Sequence, residues 1–569
     1  MGLVGKKKKK KLSSRALAGG GSQGAGGKAT SDRRPSFVDK MPPCRDACPS
    51  SNAIREIMRT FLLAEKKEQA SDDVIREAWN MLTETSPFPS TCGRVCPHPC
   101  ETACNREAKD GAVSINNIER FLGDYAIEHD LQYTAPDNGS NTEKIAVIGA
   151  GPAGLSCAYQ LARKGYKVTV FESFDKAGGM LRYGIPAYRL PRNILDAEIA
   201  KIEKLGVEIR CNTIIGKDIA YEDIKKDYDA IFVGIGAHKG KLLRCEGEDA
   251  SNVYTGTFFL HKVNSGENVE LGSDVIVIGG GDTAIDAARM AKRAGAKVTI
   301  FYRRTRNEMP AIDEEIEGAL EEDIAIEYLV APINITKNGE AAVSMTCQRM
   351  ELGEPDDSGR RRPVPIEGSE FDTPATAIIA AISQEPDFDG LEDLREGRDW
   401  VKSDASGQVV ISDQPVENTF AGGDALDLGL VTMAIGNGRL AATTIHERFR
   451  GIEPTPVAEK VIIKHDKMLM NFYEQKARNT VTPLAVSERW SDPDVEILPG
   501  LSQEQAIEEA MRCMSCASCF DCGTCWSYCQ DNVIVKAAVP GDTYKLKLEF
   551  CQGCDKCAEN CPCGYIEMH

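Results

Sequence analysis

From residue 144 the apolar positions fall into short unbroken runs. Residues 145–148 and 168–171 are almost wholly apolar or β-branched and are bounded by polar positions. That is the pattern of a strand covered on both faces. Between them, residues 155–164 carry a helical spacing. The same order returns with strands at 275–278 and 298–302 and continues, with a break near residue 271, to about residue 450. Strand, turn, helix and strand in repeated order predict an α/β fold with parallel sheets. The flanks read differently. Residues 41–142 mix helical patterns with cysteines, 451–510 form a polar, proline-containing linker, and 511–569 are dense in cysteine. A short helix is predicted over 503–511, just ahead of that last group. Residues 1–40, with lysines at 6–11 beside a Gly/Ser-rich stretch, read as a disordered basic tail. No apolar run approaches the roughly 20 residues that cross a bilayer, so no membrane span is expected.

Two glycine turns sit where strands become helices. The first is Gly149-Ala-Gly151-Pro152-Ala153-Gly154. One glycine makes the tight turn, the next lets the backbone approach a pyrophosphate, and the last lets helix and strand pack closely. The helix N-terminus then faces the phosphates. The following strand ends at Glu172, placed to accept hydrogen bonds from a ribose. The second turn is Gly279-Gly280-Gly281-Asp282-Thr283-Ala284, with the permitted alanine at its end. Its following strand ends not in an acid but in Arg303-Arg304. Guanidinium groups favour a 2′-phosphate, so this site is read as taking NADPH, or both NADP(H) and NAD(H). A third segment, with Gly423-Asp424 between a strand and a helical stretch, suits the ribityl and phosphate part of a flavin. Together they describe two Rossmann-like domains, an FAD domain (143–270 and 386–450) interrupted by a NAD(P)H domain (271–385).

The second cysteine group is the most specific signal. Cys519-x2-Cys522-x2-Cys525-x3-Cys529 is followed by Cys551-x2-Cys554-x2-Cys557-x3-Cys561-Pro. This is the spacing of a two-cluster bacterial ferredoxin, in which the fourth cysteine of each run reaches the other cluster. One 4Fe–4S cluster is assigned to Cys519, Cys522, Cys525 and Cys561, the other to Cys551, Cys554, Cys557 and Cys529. Zinc at two four-cysteine sites is the weaker reading of this doubled spacing.

Residues 143–450 resemble the small subunit of glutamate synthase and the related half of dihydropyrimidine dehydrogenase. The likeness is carried by the first glycine turn, by Gly178-Gly179-Met-Leu181-Arg-Tyr-Gly-Ile-Pro186, by Tyr188-Arg-Leu-Pro191 and by Tyr302-Arg-Arg304. It implies FAD at the first site, with Gly178, Gly179 and Leu181 among its contacts, and NADP(H) at the second. The run from Cys92 to Cys104 resembles the N-terminal cluster domain of the same family. There, two 4Fe–4S clusters link flavin to an electron partner, and one takes a non-cysteine ligand, which the resemblance places at Glu119. Cys48, Cys96, Cys100 and Glu119 are thereby implied for the flavin-proximal cluster. The family's Arg-Cys-x2-Cys segment does not precede Cys44, but Arg512-Cys513-Met-Ser-Cys516 reads like it. Cys513 and Cys516 are therefore expected to fold back and complete a second cluster with Cys44 and Cys104. The rival is a single N-terminal cluster with Cys92 as spare or substitute ligand.

The remaining numbers narrow the function class. The chain has 569 residues, 21 cysteines and a net charge of −18. Seventeen cysteines lie in the two groups, while Cys157, Cys211, Cys245 and Cys347 are isolated. Beside dinucleotide sites, clustered cysteines read as metal ligands in a cytoplasmic protein rather than as disulfides. The acidity argues against nucleic acid. A homodimer is compatible with these counts. The expectation is a NAD(P)H:acceptor oxidoreductase exchanging electrons with a redox partner protein; no catalytic side chain is assigned, because the chemistry belongs to the cofactors. Its ferredoxin tail resembles that of flavoproteins serving dissimilatory sulfite reductase in sulfur metabolism. A glutamate synthase small subunit, or the electron-transfer subunit of another complex, is the alternative. A non-catalytic iron–sulfur scaffold would have no need of three intact dinucleotide segments.

Overall fold

The computed structural model describes residues 30–134, 141–356, 359–397, 400–454 and 460–569. The lysine run and the Gly/Ser stretch lie outside the described residues. The runs of buried apolar residues build two sheets. The first has six strands in the order Gln408–Ile411, Gln414–Ala421, Ala230–Val233, Lys144–Ile148, Lys167–Phe171 and Glu208–Arg210. All its pairings are parallel except the first. Helices Pro152–Ala162 and Val431–Arg450 pack together beside it, Gly438 lying so close to the first helix that a Cβ there would meet the Ala153 carbonyl oxygen at 2.2 Å. The chain leaves this sheet after Val233 and returns at Gln408.

In between it forms a second sheet, parallel throughout, in the order Ala325–Tyr328, Lys297–Tyr302, Asp274–Ile278, Ala377–Ala380 and Val253–Thr255. A three-stranded antiparallel meander, Val330–Asn338, Ala341–Pro355 and Arg361–Pro374, is appended to it. The inserted domain thus begins before the expected break at 271, because Val253–Thr255 is one of its strands. That strand is three residues long and only half-buried, so it leaves no apolar run to read.

Four N-terminal helices, Ile54–Lys67, Ser71–Thr83, Pro89–Val95 and Ile115–Glu128, share one core with the first dinucleotide domain. The first of them buries Ile54, Ile57, Met58 and Phe61, the i, i+3, i+4, i+7 face of an amphipathic helix. The chain ends are joined. Pro35–Phe37 pairs antiparallel with the last strand, Ile566–Met568, and Phe37 stacks on Tyr565 at 5.1 Å. Residues 30–40, expected in the disordered tail, are therefore structured against the C-terminal domain.

Residues 460–502, expected as part of a linker, run as a strap over three parts of the molecule. Met41 and Ile462 form a β-bridge, Glu496 pairs with Arg94 (2.7 Å) and Arg120 (2.8 Å), and Arg489 pairs with Glu321 (2.7 Å) on the inserted domain. Helix Gln503–Ala510 then packs its Ala506 and Ala510 into the N-terminal core. Among the described residues no helix is long and apolar enough to cross a membrane.

Candidate functional site

The first cavity, of about 450 Å³, opens at the carboxyl ends of the first sheet's strands, where open α/β sheets bind ligands. Gly149, Gly151, Pro152, Ala153, Glu172, Gly179, Leu181, Gly423 and Asp424 line it. The three turn glycines differ in what a side chain would meet. A Cβ on Gly149 (φ +99°) would stand 2.3 Å from the Gly234 carbonyl oxygen, and one on Gly154 would stand 2.0 Å from that of Gly149. A Cβ on Gly151 would meet no protein atom within 4 Å. That glycine keeps space free for something other than protein, which fits a pyrophosphate over the N-terminus of helix Pro152–Ala162. Gly178 donates its N–H to the Ala150 carbonyl (2.9 Å), and a Cβ on Gly179 would press on Gly151 at 2.8 Å, so this pair seats the loop before Leu181.

Glu172 accepts from the backbone N–H groups of Ala150 (2.7 Å) and Phe174 (2.9 Å) and from the Ser173 hydroxyl (3.1 Å). Burial raises its pKa while these donors pull it down. It ties the glycine turn to the end of the next strand and still lines the cavity. Asp424 accepts from the Gly429 N–H at 3.2 Å, and burial pushes its carboxyl up to about 6. His238 also lines the cavity, and burial takes it down to about 4, leaving a neutral ring there. The sequence reading passed over His238. Its signal was Gly234-Ile-Gly236 at the end of a strand in the same sheet.

We expect Gly151→Ala to leave the melting temperature of the FAD-free protein unchanged and to weaken FAD binding by roughly tenfold to a hundredfold, the loss of one or two hydrogen bonds to a charged group. Flavin titration of the apoprotein checks this; unaltered affinity would show that Gly151 borders no phosphate.

The second cavity, of about 630 Å³, is lined by Gly279, Gly280, Gly281, Asp282, Thr283, Arg303, Arg304 and Arg360. It repeats the first design. A Cβ on Gly279 would stand 2.2 Å from the Ala381 carbonyl oxygen, one on Gly280 would strike the Tyr302 ring, and one on Gly281 would find only Pro310 at 3.9 Å. Ala284 is fully buried behind the turn. Asp282 accepts from the Ile312 N–H at 3.0 Å. Arg303 is exposed, whereas Arg304 is buried and paired with Asp356 at 2.7 Å. The two cavities share Asp424 and Gly429 in their walls.

None of the 21 cysteines is paired in a disulfide. Among the described residues no three His, Cys, Asp or Glu side chains stand close enough to hold a single metal ion; the cysteines instead come together in sets. Cys44, Cys104, Cys513 and Cys516 ring one small cavity. Burial first, and then one another's charge, push Cys44 and Cys513 far up and Cys516 up to about 11. Four thiolates held there would need a compensating cation, of the kind a cluster's irons could supply. What brings Cys513 and Cys516 to this place is a polar anchor. Glu509 and Arg512 are 0% and 1% exposed. Glu509 pairs with Arg512 and accepts from the Ser114 N–H (2.8 Å), while Arg512 donates to the carbonyls of Ala112 (2.9 Å) and Gly111 (2.8 Å).

Cys48, Cys96 and Cys100 form a second set; burial first, and then the charge of Glu119, raise all three. Helix packing puts Glu119 there. Helices Pro89–Val95 and Ile115–Glu128 cross so tightly that a Cβ on Gly93 would stand 2.4 Å from Arg120, and one on Gly123 would stand 2.2 Å from Ser90. Glu119 accepts from Asn52 Nδ2 (3.2 Å), and burial, then the Glu198 carboxylate, push it up to about 8. Cys92 is fully buried beside this set. In the C-terminal domain Cys519, Cys522, Cys525 and Cys561 ring a cavity, with Cys563 beside them. Cys557 feels the charges of Cys551, Cys529 and Cys554, and Cys554 is exposed.

Residues 143–444 match the family described as pyridine nucleotide-disulphide oxidoreductase, and residues 34–131 match dihydropyrimidine dehydrogenase domain II, 4Fe-4S cluster. The chain is 38% identical over 534 residues to the NADPH-Fe(3+) oxidoreductase subunit beta of Geobacter sulfurreducens, covering 85% of this chain and 77% of that one. It is 36% identical over 507 residues to the NADP(+)-dependent formate dehydrogenase subunit beta of Moorella thermoacetica, covering 83% and 70%. It is also 36% identical over 441 residues to the glutamate synthase (NADPH) small chain of Escherichia coli, covering 74% and 90%. With FAD- and NADP-type cavities meeting at one wall and cysteines gathered in sets, the chain belongs to the pyridine nucleotide-disulphide oxidoreductase family, as an FAD- and iron–sulfur-dependent NAD(P)H oxidoreductase of the glutamate synthase small-chain kind.

Proposed function

We propose that the chain is the electron-transfer subunit of a larger assembly and moves electrons between NADPH and a redox partner protein. The observation that carries this reading is the shared wall of the two cavities at Asp424 and Gly429. When bound, the flavin exchanges hydride with nicotinamide and single electrons with iron–sulfur clusters, and that chemistry is the cofactors' own. The chain binds, orients and insulates. Glu172 fixes the first glycine turn, Gly151 and Gly281 leave room for the two pyrophosphates, and Arg303 stands where the adenosine end of the nicotinamide cofactor would lie.

The cysteine sets follow one another from the flavin domain outward. Cys96, of the set with Cys48, Cys100 and Glu119, lies 4.0 Å from Thr432 on the flavin domain's helix; Cys44, of the set with Cys104, Cys513 and Cys516, feels the charge of Cys100; the set beginning at Cys519 follows Cys516 three residues on in the chain; and the remaining set contains the exposed Cys554. Electrons would leave or enter at that end. The relatives sharing the flavin half are named for iron(III), formate and glutamate chemistry, so that half does not select the acceptor. The ferredoxin tail carries the choice, and its likeness to flavoproteins of sulfur metabolism makes dissimilatory sulfite reductase the partner we propose.

Anaerobic titration of the purified protein, followed by visible absorbance, tests the reading. NADPH should bleach flavin and cluster bands together, with more than the two electrons a flavin alone accepts, and NADH should need a higher concentration. Addition of oxidised sulfite reductase should then restore the cluster bands. Bleaching of flavin alone would refute the wire, and unrestored bands would refute that partner.

A further inference from the structure

Cys519, Cys522, Cys525 and Cys561 form the more enclosed of the two C-terminal sets. Cys525 and Cys561 are each 8% exposed, whereas the other set has no buried member and Cys554 is exposed. A cubane held by four thiolates is an anionic centre, and each electron it accepts adds to that charge. Burial penalises the added charge. Both sets receive backbone N–H groups that soften the penalty. Tyr565 donates to Cys561 Sγ (3.3 Å), Val533 to Cys529 Sγ (3.3 Å) and Gly553 to Cys551 Sγ (3.4 Å).

Two further groups serve the buried set. Cys563 lies outside the ferredoxin spacing and is 2% exposed. It stands in the wall of the same cavity, its Sγ 3.8 Å from that of Cys561. The backbone clamps it there. The Cys563 carbonyl accepts from the Ala517 N–H (2.7 Å), and the Pro562 carbonyl accepts from the Leu469 N–H of the strap (3.0 Å). As an iron ligand Cys561 carries no proton and can only accept, so Cys563 is the donor. The second group is Arg59, on helix Ile54–Lys67. Its Nε donates to the Cys519 carbonyl (2.7 Å) and its Nη2 to the Gly541 carbonyl. Both acceptors are neutral, and among the described residues no carboxylate pairs with this guanidinium. One turn earlier Arg55 makes the matching contact with the Cys516 carbonyl (3.0 Å), but Glu56 pairs with it at 2.6 Å and offsets its charge.

We propose that the Cys563 thiol and the Arg59 guanidinium raise the reduction potential of the cluster held by Cys519, Cys522, Cys525 and Cys561. The inference rests on those four thiols being one cluster's ligands. A hydrogen bond to a ligand sulfur draws charge away from the iron, and a nearby cation stabilises the reduced form; both are levers by which a protein sets such potentials. Cys563 and Arg59 are positioning residues in this account, since neither binds iron. A fifth thiolate without iron would be an uncompensated charge beside four others, so Cys563 keeps its proton.

The test is a potentiometric titration of the purified holoprotein followed by electron paramagnetic resonance, with iron counted on each variant. Replacing Cys519 and Cys522 together by alanine should cost about four irons per chain; full iron there would remove the cluster on which the inference rests. Cys563→Ala should keep full iron and make one cluster roughly tenfold harder to reduce, about 59 mV for a one-electron centre, through the loss of one hydrogen bond to a charged group. Cys563→Ser, which keeps a donor, should recover most of that shift. Arg59→Gln, which keeps an N–H for the Cys519 carbonyl and removes the charge, should lower the potential of the same cluster. Iron lost from Cys563→Ala would make Cys563 a ligand and overturn its role as donor. Unchanged midpoint potentials in Cys563→Ala or in Arg59→Gln would overturn the role of that residue while the cluster stands.

Discussion

Replacing Cys513 and Cys516 together by serine should remove about four irons per chain, one cubane, and cut the path between the flavin and the C-terminal clusters. NADPH should still reduce FAD, while most of the cluster absorbance stays oxidised. The expectation follows from the cavity that these thiols share with Cys44 and Cys104, residues more than 400 positions away in the chain. The substitutions should not undock the segment. Its hold on the N-terminal domain comes from Glu509, Arg512 and the apolar face of helix Gln503–Ala510, none of which is altered. A neutral serine hydroxyl is a poor substitute for a soft thiolate on iron. The isolated, fully buried Cys157 supplies the control, since Cys157→Ser should leave iron unchanged. Iron that is also unchanged in the double variant would leave one N-terminal cluster, and Cys92 would be the thiol to replace next.

Much of this arrangement is legible in the chain because it is local. The two glycine turns each follow a buried strand and open a helix within a few residues, and the ferredoxin ligands repeat at fixed short spacings. What resisted reading is built from contacts between distant positions. Arg303 and Arg304 look equivalent as a dipeptide. Their separation into an exposed and a buried residue arises in the bend after strand Lys297–Tyr302 and involves the pairing of Arg304 with Asp356, at the end of the meander's second strand. The strap at 460–502 has the polar, aperiodic composition of a linker, yet Glu496 and Arg489 bind it to two domains by ion pairs that no hydrophobic period records. Strand Pro35–Phe37 is three residues long, and its partner is the last strand of the chain. Such pairing is specified by register with a distant segment and not by a local pattern.

Glu119 tests the other end of the wire. Glu119→Ala should cost one cluster, about four irons per chain, and leave flavin reduction by NADPH at its original rate, because Glu119 does not line the flavin cavity. Electron transfer onward from the flavin should fall below a tenth of its original rate, a first-ligand loss being at least as damaging as the tenfold or greater losses seen when supporting groups are removed. The case for ligation is physical. A carboxyl pushed up to about 8 by burial and by Glu198 is costly to keep ionised, and among the described residues only Asn52 offers its side chain a hydrogen bond. Three buried thiols, raised first by burial and then by its charge, stand near enough to feel it. Bound to iron, the carboxylate and the thiolates lose their mutual penalty. Glu119→Cys should then keep the cluster with an altered reduction potential, a change that a merely structural glutamate would not produce. If Glu119→Ala retains full iron and an unaltered cluster potential, the fourth ligand is elsewhere, and Cys92, buried beside Cys96, is the residue in reach.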